Sequence, residues 1–145
     1  MILIEVTDAA GNIVNADWLI KAESVHRQLR PMLPTDYVAR MQQVFNNGAK
    51  MSVVVVEEKV VGVALWRLIE NTYEGLRLYI DDLVTDEQAR SQGFGQYLLQ
   101  QLEAKALNFG CNVVALDSGV QRAAAHKFYF REGMHIPSYC FRKSV

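Results

Sequence analysis

A short turn with two glycines lies between a strand-like run and a helix-like run, and this arrangement constrains the possible folds more than any other feature of the sequence. The strand-like run covers residues 76–85, the turn reads Arg90-Ser91-Gln92-Gly93-Phe94-Gly95, and the helical pattern continues to residue 110. Glycine lets the backbone approach a ligand closely, and the first N–H groups of a helix have no acceptor inside the helix. The turn therefore predicts a site where backbone N–H groups bind a phosphate or pyrophosphate.

The residues after the turn predict a strand, helix and strand unit. Apolar residues recur every four positions from Phe94 to Ala106, which indicates a helix over residues 95–109. Residues 112–117 then form the next strand-like run. A helix of this length between two strands favours parallel strands joined by a right-handed crossover.

The remaining pattern predicts a mixed α/β sheet in a single domain over residues 1–145. Two β-branched runs flank a three-residue polar connection, which favours an antiparallel hairpin. The predicted order is β-α-α-β-β-β-α-β-α-β, mostly antiparallel, with the fourth and fifth strands parallel. The other predicted elements are a strand at 2–6, helices from 16 to the proline at 31 and at 35–45, strands at 51–56 and 60–68, a helix at 121–132, and an edge strand at 135–142.

Composition and charge argue against several classes of partner. The chain of 145 residues has 15 basic and 16 acidic side chains and a net charge of −1, so we expect no overall attraction to nucleic acid or to an anionic membrane. The longest apolar run, residues 53–56, is too short to span a bilayer, and the first five residues have no basic leader pattern. Cys111 and Cys140 form neither a disulfide framework nor a metal-binding pattern, which predicts a reduced, cytoplasmic protein without a metal.

Two other nucleotide-binding folds use glycine-rich turns, and both fit this sequence less well. The dinucleotide-binding fingerprint has a third glycine where Leu98 stands, and it follows its strand immediately. A nucleotide P-loop needs a Gly-Lys-Ser/Thr sequence, which does not follow Gly95. An ordinary glycine-rich loop and a nicotinamide-binding domain stay open as alternatives.

The turn and two further segments resemble the GCN5-related N-acetyltransferase (GNAT) superfamily. Arg90, Gly93 and Gly95 match the family pattern Gln/Arg-x-x-Gly-x-Gly/Ala between its fourth strand and third helix. The strand end Asp82-Leu83-Val84-Thr85-Asp86 and the later Ala125-x-x-Phe128-Tyr129-x-x-x-Gly133-Met134 are similar to the family's segments at the same spacing. The order of elements agrees over nearly all of the chain, with the first helices matched by order alone.

This resemblance implies acetyl-CoA as the donor, a primary amine as the acceptor, and a homodimer. N–H groups of the turn would bind the CoA pyrophosphate with added charge from Arg90, and backbone at the end of the fourth strand would pair with the pantetheine arm. Arg122 departs from the Asn that many members carry near the cofactor arm, and it could instead meet a CoA phosphate. The implied cofactor-binding residues are Leu83, Val84, Thr85, Arg90, Ser91, Gln92, Gly93, Phe94, Gly95, Gln96 and Arg122.

Asp81, Asp82 and Tyr129 are the catalytic candidates. An alkylamine with a pKa near ~10 is protonated at neutral pH, so a base or a water relay must remove its proton. The two aspartates fall on opposite faces of the strand; the resemblance places Asp81 on the substrate side and gives Asp82 a structural role, with the reverse assignment open. Tyr129 matches the family's tyrosine that protonates the leaving thiolate, and a core aromatic role is its alternative. The histidines lack ligand spacing and are expected to be surface or satisfied side chains: His26, His126 and His135.

The resemblance implies acetyl transfer from acetyl-CoA to an amine, and the sequence predicts that the transfer is direct. A covalent enzyme intermediate is not expected, because neither cysteine lies beside a base motif. Acceptors implied by the resemblance are small amines, aminoalkylphosphonates, polyamines, aminoglycosides or a protein amine. The first two helices and the tail are expected to shape the acceptor pocket, and they carry no readable code. A non-catalytic CoA-binding or regulatory module is the main alternative.

Overall fold

The computed structural model describes residues 1–145 and contains a five-stranded sheet with four α-helices. Two compact units are present, Met1–Ala115 and Leu116–Val145. None of the helices combines the length and the apolar character that a membrane span requires. In chain order the elements are β1 (Ile2–Glu5), α1 (Ala16–Leu29), α2 (Tyr37–Asn46), β2 (Lys50–Val56), β3 (Lys59–Asn71), β4 (Gly75–Thr85), a 3₁₀ turn (Glu87–Ala89), α3 (Phe94–Asn108), β5 (Val113–Leu116) and α4 (Ala123–Arg131).

The strands lie in the sheet in chain order, β1-β2-β3-β4-β5. All neighbours are antiparallel except β4 and β5, which are parallel, so the predicted mixed sheet and its parallel pair are confirmed. Glu57 and Glu58 connect β2 to β3, with φ values of 47° and 64°. Two consecutive left-handed residues are typical of the type I′ turn, whose twist matches that of antiparallel strands.

Helices pack on both faces of the sheet. On one face, Leu19 and Val25 of α1 join Met41 and Phe45 of α2 in the main apolar core, together with alternate residues of β2 and β3. On the other face, α3 approaches the sheet so closely that a methyl group added to Gly62 would lie 3.4 Å from Leu98 Cδ2. The absence of a side chain at Gly62 therefore allows α3 to lie close to the strands that precede the turn.

A bulge in β4 lies at the two aspartates. Leu65 of β3 pairs with Asp82, and the next residue of β3, Trp66, pairs with Ile80, so Asp81 is the extra residue. Bulges bend a strand and redirect its side chains. β4 is also longer than β5, its other neighbour in the sheet. The Asn112 N–H, just before β5, donates to the Leu76 carbonyl near the start of β4 at 2.9 Å, and β5 is only four residues long. The last residues of β4 therefore extend past the end of β5.

The tail differs from the prediction. The expected edge strand at residues 135–142 is absent, and every residue from His135 to Val145 is exposed and outside regular secondary structure. Alternating apolar residues form a strand only when a neighbouring strand supplies backbone partners, and Pro137 has no N–H to donate. Within the second unit, α4 is the one regular element that lies wholly inside it, and the predicted order of elements is confirmed from β1 through α4.

Candidate functional site

The glycine turn places the start of α3 in an open, uncapped position. Gly93 is the residue before the helix and has a φ of 84°, a conformation that side chains with a Cβ disfavour. No side chain caps the helix, and its first intrahelical bond runs from the Tyr97 N–H to the Gly93 carbonyl at 2.9 Å. The N–H groups of Phe94 and Gly95 therefore precede the hydrogen-bond ladder of α3 and lie in its positive end, as an anion site requires.

The segment that leads into this turn is held by α1. The Gln28 side-chain amide donates to Asp86 Oδ1 at 3.1 Å, and its carbonyl accepts from the Glu87 N–H at 2.9 Å. The Asp86 N–H also donates to the Val61 carbonyl of β3 at 2.9 Å. Three contacts thus fix the exit from β4 just before the exposed stretch Arg90-Ser91-Gln92. The role of Gln28 could not be predicted from local sequence, because its partners lie 58 and 59 positions away.

Leu83, Val84 and Thr85 form the end of β4, and β3 occupies one side of them. Their partners on β3 are Ala64, Val63 and Gly62. On the side of β5 these residues lie beyond the end of the shorter strand, as described above. Backbone that has a strand neighbour on one side and none of β5 on the other can pair with an extended, amide-containing ligand.

Asp81 is bound to an arginine of the neighbouring strand. Its Oδ2 accepts from Arg67 Nε at 2.8 Å and lies 2.6 Å from Arg67 Nη2. The same guanidinium donates from Nη1 to the Asn47 carbonyl at 3.0 Å. Two contacts from one guanidinium fix the position of the Asp81 carboxylate and tie β4 to β3 at this point.

Asp82 is buried and lies at the centre of a polar network. His26 Nε2 is 2.7 Å from its Oδ2, while Arg30 Nε and Nη2 are 2.7 and 2.6 Å from its Oδ1. Burial acts to raise the pKa of Asp82, but the hydrogen bonds and charges of His26 and Arg30 outweigh burial and hold that pKa below its ordinary value. Asp82 is therefore ionised at neutral pH. Because an ionised carboxylate only accepts hydrogen bonds, His26 donates from Nε2.

The network continues from His26 into α2. His26 Nδ1 lies 2.8 Å from the Tyr37 hydroxyl, and the two rings meet edge to face. Both side chains are almost fully buried, at 1% and 2% exposure. Burial, together with the negative charges of Glu23 and Asp82, raises the pKa of Tyr37 far above its ordinary value, so this hydroxyl keeps its proton. His26 is thus a satisfied core histidine, one of the two defaults that the sequence predicted.

A cavity of about 580 Å³ opens beside this network. Arg27 supports its wall, because Nη1 and Nη2 each donate at 2.6 Å to the carbonyls of Leu33 and Pro34, and Nε is bound to Glu23 at 2.9 Å. The cavity is lined by the end of α1, the proline-containing segment after it, one face of α2 and two strand residues: His26, Leu29, Arg30, Pro31, Met32, Leu33, Pro34, Arg40, Met41, Val44, Leu65 and Asp82.

Sequence reasoning expected α1 and α2 to shape a pocket but did not find the residues that do so. Arg30 follows the last residue of α1 and lies four positions after His26, a spacing that puts two side chains on one side of a helix. That spacing was available in the sequence, whereas their common partner, Asp82, is 56 and 52 positions away. The sequence could therefore have indicated that His26 and Arg30 lie close together, but it could not have indicated that both contact Asp82.

Tyr129 and Arg122 belong to the second unit. Arg122 is the residue before α4, and Tyr129 is half-buried with its ring 5.4 Å from that of Phe128 in an edge-on arrangement. Burial raises the pKa of Tyr129, opposed by the charge of Arg122, so the phenol is protonated at neutral pH. In the same unit His126 Nε2 lies 3.1 Å from Ser118 Oγ. Tyr129 therefore keeps a proton that it could donate.

Comparison with known proteins gives a consistent result. A model of the Acetyltransferase (GNAT) family matches residues 16–134. The uncharacterised N-acetyltransferase YhdJ of Bacillus subtilis (strain 168) is 45% identical over 74 residues, which cover 50% of this chain and 52% of YhdJ. The aminoalkylphosphonate N-acetyltransferase of Salmonella typhimurium (strain LT2) is 33% identical over 66 residues, 46% of this chain and 43% of that protein. The chain thus spans about half the length of the curated relatives it matches.

A solved structure extends the comparison to the fold. The aminoglycoside N-acetyltransferase AAC(6')-Iy, in complex with CoA, superposes with a TM-score of 0.80 over 91% of each chain at 14% sequence identity. At this identity the likeness concerns the fold alone.

Proposed function

Because this chain belongs to the acetyltransferase (GNAT) family, as its motifs predicted, we propose that it transfers an acetyl group directly from acetyl-CoA to a primary amine of a small molecule. The observation that supports the proposal is the order of structural features along β4 and into α3. In one strand, Asp82 borders a cavity, the next three residues extend past β5, and the chain then enters an uncapped helix through a left-handed glycine. An acceptor site, a site for an extended arm and an anion site thus follow one another along the chain.

The proposed donor site is made mostly of backbone. The family uses acetyl-CoA, whose pyrophosphate would lie at the start of α3 against N–H groups of residues 92–96, while the exposed Arg90 adds positive charge. The pantetheine arm would pair with Leu83, Val84 and Thr85 beside the last part of β4. A backbone N–H in this stretch would also stabilise the developing oxyanion of the thioester carbonyl. We assign Arg122 to a CoA phosphate in place of the missing Asn.

The proposed acceptor group is Asp82 rather than Asp81. Both aspartates are paired, Asp81 with Arg67 and Asp82 with His26 and Arg30, but only Asp82 lines the cavity. The lowered pKa of Asp82 makes it a weak base, so we assign it the role of binding the ammonium group and passing its proton to water. This reverses the assignment that the family resemblance suggested for the two aspartates.

The proposed reaction removes two protons from the acceptor ammonium group and supplies one to CoA. Once the first proton has passed to water, the neutral amine attacks the thioester carbonyl carbon; its nitrogen then loses the second proton to water, the C–S bond breaks, and CoA leaves as a thiolate. Tyr129, which is protonated at neutral pH, would give its proton to that sulfur and regain one from solvent. The amide and free CoA are the products. The single domain over residues 1–145, the homodimer and the cytoplasmic location remain predictions.

Calorimetry with acetyl-CoA, followed by thiol release with a panel of amines, tests this proposal. We expect saturable binding of acetyl-CoA and thiol release that requires an amine. Binding without release on any small amine or peptide amine would leave a non-catalytic CoA-binding module. Thermal stabilisation by NAD and none by CoA would instead support a nicotinamide-binding domain.

A further inference from the structure

We infer that the amine acceptor carries an anionic oxygen group, such as a carboxylate or phosphonate, at the end of a short aliphatic chain, and that Arg40 binds this group. The inference rests on the proposed function, because it names the acceptor class of the same site. It follows from the charges and surfaces that line the cavity of about 580 Å³, which lies in the size range of small-molecule pockets.

The charges in the cavity do not balance. Its titratable lining residues are His26, Arg30, Arg40 and Asp82. Asp82 is paired with Arg30 through Oδ1 and with His26 through Oδ2. Arg40 has no ion pair or side-chain hydrogen bond, so its charge is uncompensated in the structure. Asp36, one helical turn earlier, uses its carboxylate to cap the Ala39 N–H at 3.0 Å. A positive charge is therefore left over at a cavity whose one carboxylate is already paired.

The guanidinium groups offer unused donors. Arg30 uses Nε and Nη2 for Asp82 and for the Asp81 carbonyl, and its Nη1 has no partner among the hydrogen bonds of the structure. Arg40 is exposed and has all its donors available. Guanidinium groups bind carboxylate and phosphonate oxygens through paired N–H donors, so an anionic oxygen group of the acceptor suits the unpaired guanidinium of Arg40.

The remaining lining is apolar. Leu29, Met41 and Val44 of the helices and Leu65 of β3 contribute aliphatic side chains to the lining of the cavity that Arg40 and Asp82 also line. An aliphatic chain can contact this surface while a charged group at each end meets a partner of opposite sign. A compound with several ammonium groups and no anion would instead place positive charge near Arg40, which electrostatic repulsion disfavours.

Four acceptors of matched length test the inference with acetyl-CoA and thiol release: 3-aminopropylphosphonate, 4-aminobutanoate, butylamine and 1,4-diaminobutane. We expect kcat/KM for each of the two anionic acceptors to exceed that of butylamine by about tenfold or more, since charge-assisted hydrogen bonds are the strong ones. The diamine should be the poorest acceptor. If 1,4-diaminobutane or butylamine is preferred, the proposed function stands and this inference is wrong.

Arg40→Gln separates binding of the anion from the chemistry. We expect KM for the anionic acceptors to rise about tenfold with kcat little changed, and KM for butylamine to stay the same. Arg40→Lys should restore part of the affinity, because it keeps the charge without the planar pair of donors. Lys21→Gln removes one positive charge from α1 outside the cavity and is the matched control. An anion preference that survives Arg40→Gln would overturn the inference.

If no amine causes thiol release from acetyl-CoA, the proposed function is wrong. Calorimetry then tests the inference about the anion site separately. Saturable binding of 3-aminopropylphosphonate to the wild-type protein with CoA present, lost in Arg40→Gln, would support an anion site. Equal binding to both proteins, or to neither, would contradict it.

Discussion

The proposed donor and acceptor regions use different parts of the polypeptide. The donor region, from Leu83 to the start of α3, offers backbone N–H and carbonyl groups whose positions depend on a strand end and one left-handed glycine. The acceptor cavity offers side chains brought together from α1, α2 and β4, through contacts such as that of His26 with Asp82. A backbone site accepts many side-chain changes provided the fold is kept, while a side-chain site can change its ligand by single substitutions. The donor is therefore the constant part of such an enzyme and the acceptor the variable part.

The largest effect should come from Tyr129→Phe. This variant affects the chemical step, and Tyr129 belongs to neither the donor region nor the acceptor region. Removing the phenolic proton donor should lower kcat by about a hundredfold, a typical contribution of a general acid, while the Kd of acetyl-CoA stays within about twofold. Steady-state kinetics and calorimetry measure the two quantities. Phe128→Leu, a change on the neighbouring ring, controls for altered packing. An unchanged kcat in Tyr129→Phe would return this residue to a packing role.

Asp82→Asn should affect the acceptor region and spare the donor. We expect kcat/KM for the amine to fall by more than about tenfold, because the ammonium group loses a charge-assisted partner, with the Kd of acetyl-CoA unchanged. Asp81→Asn is the matched variant one residue earlier on β4, and we expect a smaller loss from it. If Asp81→Asn is the more damaging of the two, the base assignment implied by the family resemblance is the better one.

Gly93→Val should affect the donor region and spare the acceptor. A β-branched residue at a φ of 84° is strained, so the turn should change shape and the Kd of acetyl-CoA should rise by about tenfold, while KM for the amine changes little. Gly110→Val applies the same kind of strain at the other end of α3, where φ is 75° and the added side chain also meets open space. Equal weakening of CoA binding by both variants would mean that the effect comes from destabilising α3.

The same contrast explains how much of the molecule was predictable. The turn at Gly93 and the parallel pair β4/β5 follow from local patterns, because a glycine conformation and a strand, helix and strand unit involve nearby residues. The cavity depends on contacts of His26 and Arg30 with Asp82, which lies more than fifty positions away. The choice between the two aspartates depends on Arg67, which binds Asp81. The bulge that sets the faces of the two aspartates also has no local signal. The prediction of a strand in the tail was wrong because alternating apolar residues are a local pattern, whereas a strand also needs a neighbouring strand to pair with.

Tyr37→Phe should reduce stability without changing either substrate site directly. The variant leaves buried His26 Nδ1 without its hydroxyl partner, which should lower the free energy of unfolding by about 1–3 kcal/mol. Urea unfolding measures this change, and Tyr139→Phe in the exposed tail is the control. Acetyl-CoA affinity should be unaffected, since Tyr37 contacts His26 and is not among the residues assigned to the donor region. No loss of stability would mean that the network contributes little to folding.

The smallest expected effect is the dependence of stability on acid pH. The pKa of Asp82 is lower in the folded protein than its ordinary value, so the unfolded chain binds a proton at this group more readily. The stabilisation from Asp82 is therefore fully present above the ordinary pKa of 3.8 and is lost as pH falls through the lower, folded value. About half of the Arg30 side chain is exposed, so water screens part of its contribution. Urea unfolding at pH 3 to 6 should show the difference in unfolding free energy between wild type and Asp82→Asn shrinking towards the acid end. A difference that is constant over this range would show that the charge of Asp82 does not stabilise the fold, and would leave its burial beside the cavity to be explained by acceptor binding alone.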